Sequence, residues 1–259
     1  MGGTTSQHCG TTVAPSNESA RADEVWPCEP RPVTRVALIV PALNEAVAIG
    51  EVLRAVPPNT VDDVIVVDNG SDDGTGEVAR ALGARVVREG RRGYGRACLA
   101  GLGATLGYDV LVYLDGDRSD DPRDLRRVLA PLLAGQADLV LGSRVRGNLL
   151  PGAMPPHQRV GNWVATTLVR LLYRVRLSDI GSFRAIRRDQ LLALGMNHPT
   201  YGWPVEMVVK AARRRYRIVE VPITYHPRIG VSKVGGTLRG SVRAGWAMLG
   251  TIVRYTNGA

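Results

Sequence analysis

The sequence predicts an α/β fold in which helices flank a doubly wound, mostly parallel sheet. Two observations favour this class. Short segments rich in Val, Ile and Leu alternate with amphipathic helical patterns, and turn residues or carboxylates follow the apolar segments directly. Strands that alternate with helices in this way imply right-handed crossovers within one sheet. The 259 residues are enough for one large domain with a substantial core.

The individual elements follow from the same patterns, taken in chain order. Near-continuous apolar runs predict strands at residues 36–40, 64–67, 85–88, 109–114, 138–141, 182–186 and 217–225. Helical periodicity predicts helices at residues 45–56, 75–82, 94–106, 122–133, 158–175 and 237–255. A Pro- and Gly-rich loop is expected between residues 144 and 156.

The two ends of the chain differ from the central part. Residues 1–33 are rich in Gly, Thr, Ser, Pro and Glu without periodicity, which predicts a disordered leader. Residues 34–228 are expected to form the α/β domain. Residues 229–259 are expected to form a mobile loop followed by an amphipathic helical arm.

Composition argues against a nucleic-acid partner and against a membrane-spanning helix. The net charge is +9, but the acidic residues form clusters, which favour cation sites facing a polyanionic ligand over a continuously basic surface. No run of about 18 apolar residues and no signal peptide is present, so we expect a cytoplasmic protein. Whether it also docks on the inner face of the membrane stays open.

The most informative motif is an apolar run that ends in two carboxylates. Asp115 and Asp117 follow residues 109–114, separated by one glycine. Ligands of open α/β sheets bind beyond the carboxyl ends of strands, so both side chains are expected at a binding site. Two hard-oxygen ligands suit Mg²⁺ or Mn²⁺, which in turn can hold a diphosphate. A simple turn is the competing interpretation.

The loops after the first two strands narrow the chemistry. Asp68 ends the second strand beside a Gly-containing turn, where it can bind a base or ribose, although residues 72–75 equally fit a helix-capping turn. Neither a dinucleotide-binding Gly-x-Gly-x-x-Gly after the first strand nor a phosphate-binding P-loop is present. In a nucleotide-binding α/β protein that lacks both of these loops, Asp115 and Asp117 at the end of a strand indicate nucleotide-sugar chemistry.

Five motifs in consistent order resemble glycosyltransferase family 2. They are Pro41–Glu45, Val67–Ser71, Asp115–Asp117, Gly142–Arg144 and Ser178–Arg184. The set looks most like the branch that transfers mannose or glucose to polyprenyl (dolichyl) phosphate. The resemblance covers about residues 34–235 and implies a GT-A fold, a UDP- or GDP-hexose donor, a divalent metal and inversion at the anomeric carbon.

The resemblance also implies a role for individual residues. Asp117 and Asp115 would hold the metal, Asp115 on the nucleotide side. The donor would be bound by Pro41, Asn44, Glu45, Asp68, Asp115, Arg228 and Lys233, the last two from a loop that closes over the diphosphate. The catalytic residues would be Asp179, Arg184 and Arg144, and the acceptor would be bound by Arg144, Arg159 and Arg184.

The chain departs from the family pattern at one position near the metal, and the need for a catalytic base depends on the acceptor. Many relatives carry a Gln after the acidic pair that assists the metal, whereas this chain has Ser119. A phosphate acceptor arrives ionised and needs little proton removal, whereas an alcohol needs a carboxylate base. Asp179 and Glu206 are the candidates for that base, and we interpret Glu206 as an ordinary acid in the first turn of a helix.

The sequence therefore indicates a metal-dependent, inverting hexosyltransferase with polyprenyl phosphate as its leading acceptor. A transferase for a soluble acceptor is the first alternative. A sugar-phosphate nucleotidyltransferase would share the fold but is expected to carry a Gly-rich basic loop after the first strand. A non-catalytic nucleotide-sugar binder is the last alternative. Apolar stripes in the helices at 158–175 and 237–255 are consistent with membrane-surface binding or with core packing.

Overall fold

A seven-stranded sheet forms the centre of the protein. The computed structural model describes residues 34–230 and 249–255. The strands are β1 (Val36–Ala42), β2 (Asp63–Asp68), β3 (Arg85–Arg88), β4 (Val110–Tyr113), β5 (Leu139–Leu149), β6 (Arg184–Arg187) and β7 (Ile218–Tyr225). Their order across the sheet is β3-β2-β1-β4-β6-β5-β7.

Helices connect most of these strands. They are α1 (Ala46–Ala55), α2 (Thr75–Ala81), α3 (Tyr94–Gly103), α4 (Leu125–Leu133), α5 (Pro156–Tyr173), α6 (Arg188–Leu194) and α7 (Trp203–Arg213), and a 3₁₀ turn at Pro122–Asp124 leads into α4. Residues 249–254 are also helical. Within the two described ranges, no helix combines the length and the apolar character that crossing a bilayer requires.

The sheet is mostly parallel, as expected, but one strand reverses. β1 runs parallel to β2 and β4, β2 to β3, and β5 to β7. β6 is antiparallel to both of its neighbours, β4 and β5. An apolar run indicates a buried strand but does not encode its direction, so the sequence pattern could not predict the reversal.

The continuous apolar runs are explained by burial on both faces of the sheet. In β1, Ile39 belongs to the core layer on one face, and Leu38 and Val40 belong to the layer on the other. Tyr113 of β4 packs against Trp203 of α7 with their ring centroids 4.8 Å apart. Helices therefore pack on both faces of the sheet.

The predicted end of β5 is wrong. The strand was expected to end at residue 141 and a loop to begin at residue 144, whereas β5 continues to Leu149. The glycines that suggested a loop are required by close packing. A Cβ atom on Gly147 would lie 1.9 Å from the carbonyl oxygen of Ile223 in β7. Glycine here permits strand contact rather than ending the strand.

The C-terminal helix is described only at its end. The predicted leader at 1–33, most of the predicted helix at 237–255, and Lys233 lie outside the described residues. In the described part, Ile252 is fully buried and its carbonyl oxygen accepts a hydrogen bond of 2.5 Å from Tyr173 Oη. Tyr255 Oη donates to Glu206 Oε1 at 2.9 Å. This part of the helix packs into the core.

Candidate active site

The loops after β1, β2 and β4 meet at one edge of the sheet because these strands are parallel. Gly116, between the two carboxylates that follow β4, lies directly against the end of β1. A Cβ atom at this position would be 3.3 Å from the Cβ of Ala42 and 3.3 Å from the carbonyl oxygen of Pro41. The structure thus brings Pro41 next to Asp115 and Asp117.

Asn44 and Asp68 organise the neighbouring turns. Asn44 adopts a left-handed conformation with φ of 51°. Its backbone N–H donates to Ser71 Oγ at 3.0 Å, and Asp68 Oδ1 accepts from the N–H of Ser71 at 2.8 Å. Asp73 Oδ2 accepts from the N–H of Ala46, the first residue of α1, at 2.9 Å, and Asp73 Oδ1 accepts from the N–H of Thr75 at 3.0 Å.

The two oxygens of Asp117 have different surroundings. Oδ1 accepts hydrogen bonds from the backbone N–H of Ser119 at 2.9 Å and from Ser119 Oγ at 2.5 Å. Oδ2 lies 3.3 Å from Nη2 of Arg228. Ser119 therefore orients the carboxylate, which is a structural use for the residue at the position where relatives carry Gln.

Asp115 is held by an aromatic residue that the sequence analysis did not single out. Tyr94, the first residue of α3, donates its hydroxyl to Asp115 Oδ1 at 3.0 Å. Burial, and next the charge of Asp117, raise the pKa of Asp115 to about 6. Two carboxylates that repel each other in this way favour a cation between them.

These two aspartates fit the usual environment of Mg²⁺ or Mn²⁺. Among the described residues, no group of three or more His, Cys, Asp or Glu side chains is arranged to hold a metal by itself. Such ions commonly take one or two carboxylates, with phosphates and water completing the coordination. Asp115 and Asp117 supply that partial set of oxygen ligands, and a donor diphosphate would supply further ones.

Arg228 lies just beyond β7 and reaches the carboxylates of Glu45 and Asp117. Its Nη2 atom is 3.0 Å from Glu45 Oε1 as well as 3.3 Å from Asp117 Oδ2. The next residue, Ile229, donates its N–H to the carbonyl oxygen of Asp117 at 3.0 Å. The predicted donor-binding residues Glu45 and Arg228 are therefore together at the predicted metal site.

Arg144 and Asp179 form a buried, two-pronged ion pair. Arg144 Nε donates to Asp179 Oδ2 at 2.8 Å and Nη2 donates to Oδ1 at 2.6 Å, while the backbone N–H of Arg144 also donates to Oδ2 at 2.8 Å. The side chain of Asp179 is 0% exposed and that of Arg144 is 15% exposed. Burial alone lowers the pKa of Arg144, but the charge of Asp179 raises it above the ordinary value.

The segment that carries Asp179 is fixed from two sides. Glu220 of β7 accepts hydrogen bonds from the N–H groups of Ser178 and Asp179 at 2.9 and 3.0 Å. Asn162 of α5 donates to the carbonyl oxygen of Ser178 and accepts from the N–H of Ile180. Glu220 was missed by the sequence analysis, although an acid inside an apolar strand was an available signal.

Asp120 is a second residue that the motif search did not single out as a site residue. It is fully buried, and its Oδ2 atom accepts from Ser182 Oγ at 2.9 Å. Oδ1 has no hydrogen-bond partner among the described residues. Burial, and next the charge of Asp115, raise the pKa of Asp120 to about 8, which favours the protonated carboxyl near neutral pH.

Arg184 was predicted to bind the acceptor, but its side chain is buried away from the surface. The side chain is 0% exposed, and its guanidinium donates to the carbonyl oxygens of Pro204 at 2.8 Å, of Ser182 at 3.3 Å and of Gly181. Direct contact with an acceptor phosphate is inconsistent with this placement. Arg184 instead ties β6 to the beginning of α7 through backbone carbonyls.

Arg159 lines a surface cavity of about 510 Å³ between α5 and the end of β5. Apolar atoms form most of the cavity surface, to which Val145, Leu149, Met154, Trp163 and Leu177 contribute, and a second arginine, Arg170, also lines it. Val145 and Ser178, the chain neighbours of Arg144 and Asp179, also line it. The cavity therefore adjoins the ion pair, and Arg159 is exposed beside it rather than next to Asp117.

The other proposed base, Glu206, is part of a structural network. It lies in the first turn of α7 and is fully buried. Its carboxylate accepts from Lys210 Nζ at 2.7 Å, from the N–H of His198 at 2.9 Å and from Tyr255 Oη at 2.9 Å. These contacts confirm the interpretation of Glu206 as a helix acid.

Comparisons with known proteins agree with this geometry. The family model described as Glycosyl transferase family 2 matches residues 37–195. An uncharacterized glycosyltransferase of Mycobacterium tuberculosis is 41% identical over 213 residues, which cover 81% of this chain and 94% of the relative. An undecaprenyl-phosphate mannosyltransferase of Micrococcus luteus is 35% identical over 242 residues, covering 85% and 96%.

A solved structure supports the same fold. Glucosyl-3-phosphoglycerate synthase of Mycobacterium tuberculosis, in complex with Mn²⁺, UDP-glucose and phosphoglyceric acid, matches with a TM-score of 0.71 and 25% identity. The match covers 86% of this chain and 80% of the synthase. The sheet, the order of the motifs and these similarities lead to one conclusion. The chain belongs to glycosyltransferase family 2 and is a GT-A-like enzyme.

Proposed function

We propose that this enzyme is a metal-dependent, inverting hexosyltransferase that moves a hexose from a UDP- or GDP-sugar to polyprenyl phosphate. Residues 34–228 form its catalytic domain in this proposal, and residues 229–259 supply a closing loop and a helical arm. The acceptor oxygen bonds to the anomeric carbon as the bond from that carbon to the diphosphate breaks, and the nucleoside diphosphate leaves.

One observation carries the choice of a phosphate acceptor. Both carboxylate oxygens of Asp179 are engaged by Arg144, and the side chain is fully buried. An alcohol acceptor needs a carboxylate that can take its proton, whereas a phosphate monoester is already ionised at neutral pH. The pair is better suited to an anion, with Arg144 receiving the phosphate and Asp179 holding Arg144 in place.

Donor binding uses the opposite side of the site. Asp68 and the Asn44 turn are suited to the base and ribose, and Asp115 and Asp117 to the metal. A bound divalent cation would neutralise negative charge that develops on the diphosphate as the sugar leaves. Arg228 is near enough to add a second positive charge there.

The surface around α5 supports a lipid acceptor and peripheral membrane binding. Val160, Trp163 and Leu171 are 61%, 66% and 70% exposed, and their spacing places them on one side of the helix. The adjoining cavity has a mainly apolar lining and lies next to Arg144. A polyprenyl chain and a bilayer surface would both be accommodated by this face.

The donor and metal parts of the proposal are tested with Asp117→Asn. The near-isosteric change should lower Mn²⁺-dependent transfer at least about a hundredfold at limiting metal, because one ligand charge is lost. Folding should be little affected, since Asn can still accept from Ser119. UDP- and GDP-hexoses are assayed with and without Mn²⁺, with circular dichroism as the check on folding.

Asp109→Asn is the matched control. Asp109 precedes the other end of β4 and accepts from the N–H of Arg35 at 2.7 Å. The Asp109→Asn variant should retain full transfer activity. Undiminished transfer by a folded Asp117→Asn enzyme would remove Asp117 from the metal site.

A soluble phosphorylated acceptor is the second candidate. The solved synthase that resembles this chain was crystallised with phosphoglyceric acid, a small molecule that also carries a phosphate. Arg144 would receive such a phosphate equally well. The apolar cavity and the exposed side of α5 favour the lipid.

A further inference from the structure

Arg228 is connected to both carboxylates that face the proposed diphosphate site. Its Nη2 atom contacts Glu45 Oε1 from the loop after β1 and Asp117 Oδ2 from the loop after β4. The N–H of Ile229 donates to the carbonyl oxygen of Asp117, and this bond fixes the backbone next to Arg228. The guanidinium therefore joins two loops that the sequence separates by more than seventy residues.

The contact with Asp117 occupies the oxygen that a metal would need. Oδ1 already accepts two hydrogen bonds from Ser119, so Oδ2 is the oxygen that remains for a cation. Arg228 lies 3.3 Å from that atom. Two cations on one carboxylate oxygen repel each other, so Arg228 and a divalent ion compete for the same place.

The guanidinium also has an unused hydrogen-bond donor. Arg228 Nε is buried and has no partner among the described residues. Nε and Nη2 together form one edge of the guanidinium, the geometry that binds two phosphate oxygens at once. A donor diphosphate would therefore offer Arg228 more hydrogen bonds than Glu45 and Asp117 do.

We infer that Arg228 is a placeholder cation that couples metal binding to donor binding. Without donor, its guanidinium neutralises Asp117 and Glu45 and weakens the binding of a divalent ion alone. With donor, Arg228 leaves Asp117 and pairs with the diphosphate, which frees Oδ2. Metal and nucleoside diphosphate consequently bind cooperatively, and each strengthens the other by the same factor. This inference rests on the proposed function.

The test measures binding and needs no catalysis. Free Mn²⁺ is titrated by electron paramagnetic resonance at pH 8, with and without UDP or GDP, for the wild type and Arg228→Gln. We expect Arg228→Gln to bind Mn²⁺ alone roughly tenfold more tightly, because the competing cation is gone. The same variant should bind nucleoside diphosphate more weakly in the presence of Mn²⁺, and the cooperativity should be lost.

Arg123→Gln is the matched control for charge. Arg123 lies six residues after Asp117, and its guanidinium approaches Asp121 at 4.0 Å. Its removal changes the net charge equally and should leave the affinity for Mn²⁺ alone unchanged. Thermal unfolding of both variants verifies that the fold is intact.

The outcomes separate this inference from the proposed function. Unchanged or weaker binding of Mn²⁺ alone by folded Arg228→Gln overturns the placeholder role, as does equal tightening by Arg123→Gln. If the wild type binds Mn²⁺ and nucleotide together while Arg228→Gln behaves identically, only the inference is lost. If the wild type binds neither, the proposed function is lost as well.

Discussion

At the scale of single residues, Asp179 and Arg144 present two mechanistic possibilities that one experiment separates. If Asp179 acts only by positioning Arg144, then Arg144→Gln together with Asp179→Asn should lower kcat/KM no further than Arg144→Gln alone. A base that acts independently predicts multiplied losses. We expect each single change to cost roughly 10–100-fold in transfer to a phosphate acceptor, since each leaves a buried partner unpaired.

Donor binding is the control for this double-mutant cycle. Affinity for Mn²⁺ and nucleoside diphosphate should be unchanged in all three variants, because we propose that the pair binds the acceptor and not the donor. A double variant whose loss equals the product of the single losses would contradict the positioning role.

Asp120 gives a prediction for stability rather than for activity. Its pKa is raised from 3.8 to about 8, so the folded state holds a proton that the unfolded state releases above about pH 4. Stability from this group is therefore greatest at low pH and is lost progressively as pH rises toward 8. Asp120→Asn removes this dependence and places an N–H₂ group at a buried carboxyl site.

Urea unfolding at pH 5, 6 and 7 tests the sign of this pH dependence of stability. The stability of Asp120→Asn relative to the wild type should improve with pH, by up to about 1.4 kcal/mol per pH unit, the limit for one proton. A difference that stays constant over this range would mean that Asp120 is ionised in the folded protein.

Single residues also illustrate what the sequence could predict. The motif order identified Asp68, Asp115, Asp117, Arg144 and Asp179, and the structure brings them to one edge of the sheet. Arg184 belonged to an equally clear motif, yet it is buried against the carbonyls of Gly181 and Pro204. A motif records which residues recur, but burial depends on tertiary contacts that the sequence does not display.

At the scale of elements, α5 has two sides with different partners. Ala165 and Val169 pack into the core, whereas Val160, Trp163 and Leu171 are exposed. Sequence periodicity predicted an amphipathic helix and left both membrane binding and core packing open. The structure shows one apolar stripe in the core and a second one exposed on the surface, which periodicity alone could not separate because the neighbouring elements were unknown.

The exposed side of α5 predicts membrane binding. Trp163→Ser combined with Leu171→Ser should weaken sedimentation with phosphatidylglycerol vesicles at least about tenfold, because two large apolar side chains no longer leave water. Val47→Ser with Leu106→Ser is the matched control. These residues are 78% and 83% exposed on other parts of the surface.

Two results would contradict membrane binding through the exposed side of α5. Equal binding by the wild type and the Trp163/Leu171 variant would remove α5 from the membrane contact. An equal loss in the Val47/Leu106 variant would indicate general apolar adhesion.

Other elements show where local patterns fail for physical reasons. β5 was predicted too short because the Pro and Gly residues between 144 and 156 suggested a loop, whereas the close approach of the Ile223 backbone requires glycine at position 147. α6 has seven residues and was not predicted, since so short a segment carries little periodicity. Longer elements such as β1, β2 and α5 lie within a few residues of their predicted positions.

At the scale of the whole molecule, the sheet presents two groups of polar side chains along one edge. The β1, β2 and β4 loops present carboxylates that suit a metal and a nucleotide, and Arg228 links two of them. The β5 and β6 region presents the Arg144–Asp179 pair beside an apolar cavity. The sugar would be transferred where these regions meet, from the nucleotide side toward an anionic acceptor.

The most direct test of this account compares acceptors in one enzyme preparation. Hexose transfer from the active donor is measured with a short-chain polyprenyl phosphate, its dephosphorylated alcohol and phosphoglyceric acid, each with Mn²⁺. The account predicts efficient transfer to the lipid phosphate and at least about a hundredfold slower transfer to the alcohol, because both candidate bases, Asp179 and Glu206, are engaged in buried ion pairs. Comparable transfer to the alcohol, or a preference for phosphoglyceric acid over the lipid, would contradict it.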